Sequence, residues 1–254
     1  MADAIFEDRR LAEIYDALDS DRSDLDPYLA LLDDIDAGTL LDIGCGTGTF
    51  ACLAAQRGVE VTAVDPAAAS LNVARRKPHA ELVRWLVGDA TTLPPLQVDV
   101  VTMTGNVAQV FLTDQDWTST LRAARAALVP GGLLLFEVRD PAFEGWREWN
   151  REQSLRRVEI PGAGTVETWV ELTDLRPPFV SFQTTFVFGS DGAVLTSNST
   201  LRFRGRSEID DSLHALGYVV EQIRDAPDRP GREFVFLARK VEIEARSRCT
   251  GSDP

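Results

Sequence analysis

The sequence predicts an α/β protein with a mainly parallel sheet and an inserted antiparallel β segment. From residue 40 to residue 138, apolar strand-like runs alternate with helical stretches, which is typical of a parallel sheet with right-handed crossovers. Residues 143–206 instead show mostly β-type alternation between turn residues, without crossover helices. Residues 207–241 return to one helix and two closing strands, so the insert interrupts a single α/β domain.

The segment Leu40–Phe50 is the strongest local evidence for this fold. It reads LLDIGCGTGTF, an apolar run followed by Gly44, Gly46 and Gly48. Glycines allow positive φ and close approach of a ligand, and the next helix presents its positive end to the turn. Asp42 is an acid in an otherwise apolar strand, where burial costs free energy unless the charge is paired. We therefore expect Asp42 to order the loop or to meet a cation.

Three interpretations of this glycine turn are open at first. A dinucleotide site requires Gly-x-Gly-x-x-Gly/Ala, and Thr49 occupies the last of those positions here. A tight turn without a ligand is the second. The third rests on the pattern Asp-x-Gly-x-Gly-x-Gly, which begins at Asp42 and resembles motif I of the class I S-adenosylmethionine (SAM) methyltransferases. This resemblance implies that the loop, including Cys45 as a small filler residue, wraps the amino-acid end of SAM.

An acid also follows the second predicted strand. Val59–Val64 is rich in β-branched residues and ends at Asp65 and Pro66. In nucleotide-binding α/β folds, an acid about 20 residues past the glycines accepts hydrogen bonds from ribose hydroxyls. We predict this role for Asp65, with Pro66 beside it. The alternative is a simple N-cap for the next helix.

The third predicted strand, Ala80–Val87, is followed by Gly88, Asp89 and Ala90. The class I SAM methyltransferases, whose motif I the segment from Asp42 resembles, usually have Gly-Asp-Ala or a similar triplet here. The resemblance therefore implies that Asp89 faces the adenine amino group, which is a donor where the carboxylate is an acceptor. The alternative is a turn acid with no ligand.

The fourth predicted strand, Val98–Met103, ends in Thr104, Gly105 and Asn106. In the resembling fold this strand end lies beside the reactive methyl group. Thr104 and Asn106 are therefore candidates to contact the cofactor, and Asn106 could also orient the acceptor. Asn106 could equally cap a helix over residues 107–111, and both alternatives stay open.

Together these features predict a Rossmann-like seven-stranded methyltransferase sheet with an inserted antiparallel β cap. The resemblance implies that the cap covers the acceptor site, while a homodimer surface is its alternative role. We assign the chain as follows: 1–142 and 207–241 to the SAM-binding domain with N-terminal helices, 143–206 to the cap, and 242–254 to a disordered tail.

The composition of the chain excludes several classes of binding partner. The formal charge of −14 and the pI of about 4.6 argue against nucleic acid and against an anionic membrane surface. Three scattered cysteines and two distant histidines provide neither a disulfide framework nor a metal site. The first residues lack the apolar core of a signal peptide, and no apolar run is long enough to span a bilayer. We therefore expect a cytoplasmic protein.

The predicted function is SAM-dependent methyl transfer to an O, N or C atom of a small-molecule acceptor. The alternatives are a non-catalytic SAM sensor and a nicotinamide dehydrogenase, which Thr49 disfavours. The sequence nominates no catalytic residue. Glu137, Arg139, Asp140 and His214 are candidates by position alone.

Overall fold

The computed structural model describes residues 2–242, and every structural statement below refers to them. The predicted tail therefore lies outside the described residues, except for Glu242. The helices are α1 (Ala4–Glu7), α2 (Arg9–Leu18), α3 (Asp26–Asp34), α4 (Thr49–Gln56), α5 (Ala68–Ala74), α6 (Asp114–Ala127), α7 (Arg151–Ser154) and α8 (Arg206–Ala215). The strands are β1 (Thr39–Ile43), β2 (Glu60–Asp65), β3 (Val83–Val87), β4 (Val98–Met103), β5 (Leu128–Arg139), β6 (Arg156–Ile160), β7 (Gly164–Arg176), β8 (Phe179–Phe188), β9 (Val194–Arg202), β10 (Tyr218–Asp225) and β11 (Glu233–Lys240).

The predicted seven-stranded sheet is confirmed, with strand order β10-β11-β5-β4-β1-β2-β3. Strands β1 to β5 are parallel, whereas β11 runs antiparallel to β5 and β10 antiparallel to β11. Because β11 is antiparallel, its first residue, Glu233, pairs with Arg139 at the end of β5. The carboxyl ends of five strands and the amino end of β11 therefore meet at one edge.

Helices cover both faces of this sheet. On β1, Leu41 packs in the cluster that includes Trp117 of α6, while Leu40 packs in the opposite cluster with Phe50 of α4. Both leucines are fully buried. Burying one such side chain stabilises the fold by roughly 1.5–3 kcal/mol. Phe136 of β5 stacks on Phe236 of β11, which fixes β11 against the parallel strands.

The inserted segment forms the predicted antiparallel sheet, in the order β6-β7-β8-β9. At one end, Phe186 and Phe188 pack with Leu11 and Ile14 of α2. The other end packs in a cluster with Trp146, which lies in the segment connecting β5 to the cap. The cap sheet is thus held both by the N-terminal helices and by its own entry segment.

Two predicted boundaries are wrong at the N-terminal side of the chain. Apolar residues at helical spacing over residues 6–18 predict one helix, but the structure divides it at Asp8. The backbone of Asp8 is extended, and its carboxylate accepts from Arg10 N and Leu11 N at the start of α2. The strand expected from Ala80 begins at Val83, because residues 80–82 form a 3-10 turn. Local hydrogen bonds that an apolar pattern does not reveal decide both cases.

Two further differences concern β4 and β5. The helix expected over residues 107–111 is a 3-10 turn, Val107–Val110. The residues Pro130-Gly131-Gly132 predict a turn before the fifth strand, but they lie within β5 as an irregularity. There, pairing to β4 moves from Val98↔Leu128 to Val100↔Leu133. The turn residues therefore interrupt the strand register without ending the strand.

Candidate active site

The glycine loop after β1 is held by the end of β2. Gly44 N and Cys45 N both donate to the carbonyl oxygen of Val64, at 2.8 and 3.2 Å. Gly48 N then donates to Cys45 O at 2.8 Å and closes the turn into α4. The loop has a fixed shape because its first amides are bonded to the neighbouring strand.

The three loop glycines have different surroundings. A Cβ atom added at Gly44 would lie 2.6 Å from Val107 Cγ2, and one added at Gly48 would lie 2.4 Å from the Trp85 ring. At Gly46, where φ is +53°, no atom would lie within 4 Å. Gly44 and Gly48 are thus required for packing, whereas Gly46 borders open space. An open backbone at the end of β1 fits a ligand such as the amino-acid end of SAM.

Asp65 contacts this open position directly. One carboxylate oxygen accepts from Gly46 N and the other from Ala67 N, both at 2.8 Å. Burial raises the pKa of Asp65 and outweighs the opposing effect of these two hydrogen bonds. Asp65 therefore joins the glycine loop to the start of α5, and the exposed Pro66 follows it at the sheet edge. The N-cap alternative is wrong, because the N-cap residue of α5 is Ala67 and no side chain caps that helix.

Asp42 lies beneath the loop and is only 1% exposed. Its Oδ1 accepts from Thr102 Oγ1 of β4 at 2.8 Å, while its buried Oδ2 has no protein partner within the described residues. Burial raises the pKa of Asp42 to about 7, with the Asp65 charge acting in the same direction and the Thr102 bond opposing it. A cationic group above the loop would favour the ionised form.

A polar cluster that sequence reasoning missed attaches α2 to the glycine loop. Asp16 accepts from Thr47 Oγ1 at 2.6 Å and lies 2.7 Å from Lys77 Nζ. Lys77 Nζ also donates to Thr49 Oγ1 at 2.5 Å. These residues come from α2, from the glycine loop with the start of α4, and from the turn after α5, so no spacing in the sequence indicates that they meet. They position α2 over the loop.

Asp89 forms local bonds of the turn-acid type. Its Oδ1 accepts from Thr91 N at 2.8 Å and from Thr91 Oγ1 at 2.6 Å, while Asp89 N donates to Thr92 Oγ1. A Cβ atom at Gly88 would lie 2.4 Å from Thr92 Oγ1, so this turn requires glycine. Ala90 is buried beneath it. The contact between Asp89 and adenine stays a prediction.

Asn106 does not cap the turn that follows it. The residue is 3% exposed, and its Nδ2 donates to both carboxylate oxygens of Glu233 at 3.3 Å. The capping alternative is therefore wrong. Gly105 N, between Asn106 and Thr104, donates to Glu137 Oε1 at 2.6 Å. The loop after β4 is thus fixed by acids from β5 and β11.

These acids belong to a buried ionic cluster at the sheet edge. Arg229 Nη1 donates to Glu233 Oε1 at 2.9 Å, and Arg139 Nη1 donates to Gln109 Oε1 at 3.0 Å. Burial, followed by the Glu233 charge, raises the pKa of Glu137 to about 7. Burial also lowers the pKa of Arg139. A carboxyl group near neutrality can accept or release a proton in this cluster.

Only some residues of this ionic cluster could be predicted from the sequence. Of the positional candidates, Glu137 and Arg139 belong to it. Asp140 instead accepts from Ala142 N in the next turn, and His214 is exposed on α8. Glu233 was missed, although the antiparallel direction expected for the last strand would have placed its first residue at this edge.

Nothing in the described residues points to thiol or metal chemistry at the loop. Burial raises the pKa of Cys45 well above its usual value, and the carboxylates of Asp42 and Asp65 add to the effect. The thiol therefore stays protonated and acts as a filler residue. Across residues 2–242, no group of acidic, histidine and cysteine side chains is arranged to hold a metal ion. No helix in the same range is long and apolar enough to cross a membrane.

Comparison with known proteins agrees with this geometry. Residues 40–132 match the family model of a methyltransferase domain. The cypemycin N-terminal methyltransferase of a Streptomyces species is 32% identical over 146 residues, which cover 56% of this chain and 60% of that protein. The chain therefore matches less than two thirds of that relative's length.

Solved structures match over a larger part of the chain. A SAM-dependent methyltransferase from Clostridium acetobutylicum superimposes with a TM-score of 0.72 at 17% identity, covering 92% of this chain and 98% of that one. SAM-bound CalS10 from Micromonospora echinaspora, an amino pentose methyltransferase, has a TM-score of 0.67 at 23% identity and covers 87% and 93%. The fold is that of the class I SAM-dependent methyltransferases.

Substitution of two glycines by alanine separates packing from ligand binding in this methyltransferase fold. We expect Gly48→Ala to lower the melting temperature strongly, because its Cβ would overlap Trp85. Gly46→Ala has space for its Cβ and should cost only about 1 kcal/mol of backbone strain. It should nevertheless weaken SAM binding at least tenfold. Thermal unfolding and calorimetric titration with SAM measure the two effects, and an equal loss of stability in both variants would contradict the assignment.

The pKa of Asp42 predicts a pH effect on stability. The unfolded carboxyl titrates near pH 4 and the folded one near pH 7, so the folded state binds the proton more tightly. Its contribution to stability is fully present below about pH 4 and is lost as the pH rises towards 7. Relative to Asp42→Asn, the unfolding free energy of the unliganded parent protein should fall by up to about 1.4 kcal/mol per pH unit across this window. If urea unfolding gives the same pH dependence of the unfolding free energy for the parent protein and for Asp42→Asn, the burial of this carboxyl group is contradicted.

Proposed function

We propose that the protein transfers the methyl group of SAM to an O, N or C atom of a small-molecule acceptor. One observation carries the proposal: the glycine loop of a methyltransferase fold is open at Gly46 and closed by packing at Gly44 and Gly48. Asp65 fixes the open position by accepting from Gly46 N. Neither the relative nor the structures described above support the alternative of a non-catalytic SAM sensor.

Each predicted cofactor contact has a place in this proposal. The loop from Gly44 to Gly48 would border the amino-acid end of SAM, with Asp42 beneath it. Asp65 and Pro66 would border the ribose, and the turn around Asp89 the adenine. Bound SAM supplies an electrophilic methyl group on a sulfonium. Thr104 and Asn106, at the end of β4, would lie between cofactor and acceptor.

The chain's own contribution to the reaction is positioning. Holding two reactants in line can supply up to about 7–11 kcal/mol of the barrier in favourable cases. Asp16 and Lys77 hold α2 over the loop, and the Glu233–Asn106 contact holds the strand end that faces the acceptor. Glu137 can take up a proton that an amine or hydroxyl acceptor releases. We propose this role because the bond to Gly105 N places Glu137 at the end of β4, where the acceptor would lie, and because the pKa of Glu137 is about 7.

The division of the chain is part of the same proposal. Residues 1–142 and 207–241 would form the SAM-binding domain, and residues 143–206 the cap over the acceptor. Attachment of the cap to α2 supports a lid, because α2 is also bonded to the glycine loop. A cytoplasmic location, the lack of nucleic-acid partners and a homodimer through the cap stay predictions from sequence.

A direct assay tests the activity. The purified protein is incubated with SAM carrying a trideuterated methyl group and with a small-molecule extract from the source cells. We expect S-adenosylhomocysteine (SAH) to form and one or more metabolites to gain a deuterated methyl group. SAM consumption without any labelled small molecule would contradict the proposed acceptor class.

Asp65→Asn tests the cofactor site. The amide retains the shape of the side chain but replaces one acceptor oxygen by a donor, so it cannot accept from both Gly46 N and Ala67 N, and it offers the ribose hydroxyls no negative charge. Charge-assisted hydrogen bonds contribute about 1.5–3 kcal/mol, which predicts a 10- to 100-fold loss of SAM affinity. Asp99→Asn is the matched control, because Asp99 accepts from Gly38 N and Thr39 N at the opposite edge of the sheet. Equal affinity losses in the two variants would remove Asp65 from the cofactor site.

A further inference from the structure

We propose that a cleft at the entry of the cap holds an apolar part of the methyl acceptor. The acceptor is then an amphiphilic small molecule, with its nucleophilic atom at one end and a hydrocarbon chain or aromatic ring at the other. This inference rests on the proposed methyl transfer and narrows its substrate class.

The cleft lies between β7 and the entry segment, residues 140–149, which joins β5 to the cap. Its volume is about 460 Å³, which is within the range of roughly 300–1,000 Å³ typical of small-molecule sites. Trp149, Leu172 and Leu175 form its apolar surface, with Trp146 beside them. Leu172 N donates to Trp149 O at 2.9 Å and so joins the two walls of the cleft.

An irregularity in β7 places both leucines on one face of the cap sheet. Leu172 pairs with Phe182 and Leu175 with Val180, because the register shifts by one residue between them. Phe182 and Val180 belong to the apolar cluster around Trp146. The cleft therefore continues that cluster outward, and Leu172 and Leu175 remain 37% and 41% exposed.

The polar side chains that border the cleft already have partners within the protein. Glu144 forms an ion pair with Arg147, and Glu171 Oε2 accepts from Trp169 Nε1 at 2.7 Å. Asn150 bonds within the turn that begins α7. The apolar surface is thus the part of the cleft that lacks a partner. Covering it is favourable in proportion to the apolar area removed from water, so the cleft selects an apolar group.

The entry segment lies against the start of β11. Asp140 N donates to Arg232 O at 2.8 Å. The Arg232 guanidinium is paired with Glu148 at 2.9 Å, and its Cζ lies 4.6 Å from the centre of the Phe143 ring. The cleft therefore stands at the same edge of the sheet as the glycine loop and the ends of β4 and β5.

The strand order gives the acceptor a path into the cleft. Along this edge, β1 and β2 carry the cofactor contacts, β4 follows, and β5 and β11 come next. Arg139 ends β5, retains 31% exposure of its side chain, and its Cζ lies 5.9 Å from the centre of the Trp149 ring. An acceptor with its nucleophilic atom at the end of β4 can extend past Arg139 to Trp149.

The charge of the chain argues against a second copy as the occupant of the cleft. Two copies with a formal charge of −14 each repel one another. In a twofold contact the same surface patch meets itself, so Glu171 at the border of the cleft would approach its own counterpart. A small apolar group meets neither obstacle.

Calorimetric titration of the full chain saturated with SAH tests the inference. The probes are 2-naphthol, phenol and methyl glucoside, and we expect 2-naphthol to bind at least tenfold more tightly than the other two. Leu175→Asp places a charge on the apolar surface and should weaken 2-naphthol binding at least tenfold, whereas Leu175→Met should retain it. SAH affinity should not change. Val194→Asp is the matched control, because Val194 is also an exposed apolar residue of the cap but pairs with Val187, outside the cleft.

The labelling assay gives a second measurement. The metabolite that gains the deuterated methyl group should carry a hydrocarbon chain or an aromatic ring and should be retained on a reversed-phase column. Leu175→Asp should raise the KM for this metabolite at least tenfold and leave kcat unchanged, because the cleft is remote from the reacting atoms.

Four results would overturn the inference. The SAH-saturated protein does not bind 2-naphthol, Val194→Asp weakens binding as much as Leu175→Asp, or the labelled metabolite has no apolar group. The fourth is that Leu175→Asp dissociates an oligomer in analytical ultracentrifugation while 2-naphthol binding is unchanged, which assigns the cleft to a second copy. If SAH binds and 2-naphthol does not, only this inference fails. A parent protein that does not bind SAH contradicts the proposed function itself.

Discussion

The two hydrogen bonds of the Asp65 carboxylate are the contact on which the arrangement of this site depends. They join Gly46 N, in the loop after β1, to Ala67 N, at the start of α5. One side chain thereby sets the distance between two crossover connections at the sheet edge. Because Gly46 is also the loop glycine with open space above it, the same contact fixes the surface on which a ligand would lie.

The loop, the N-terminal helices and the cap form a connected series. Asp16 and Lys77 attach α2 to the loop, and Leu11 and Ile14 of α2 pack against the cap. Any movement of the cap relative to the sheet must therefore either carry α2 with it or break one of these contacts. Under the proposed function, these contacts would link cofactor binding to closure of the cap over the acceptor, which would exclude water from the reacting groups.

The parallel sheet and the glycine loop could be predicted because their signals are local. Asp65 and Asp89 follow strands at spacings that motif I makes meaningful, and both occur at the expected edge. The Asp16–Lys77 and Asn106–Glu233 contacts could not be predicted, since they join residues that are distant in sequence and carry no spacing rule. Nor does any spacing in the sequence show whether an aromatic residue such as Trp146 lines a passage to the site or packs in a core. Packing assigned Trp146 to the core, because Val180, Leu201 and Phe203 surround it.

The most direct test of the account is a crystal structure of the protein grown with SAH. The account predicts that the amino-acid end of SAH lies over Gly46 and that the ribose hydroxyls lie within hydrogen-bonding distance of Asp65. It also predicts that the thioether sulfur faces the end of β4 at Thr104–Asn106. SAH bound elsewhere, or a ribose that does not contact Asp65, would contradict it.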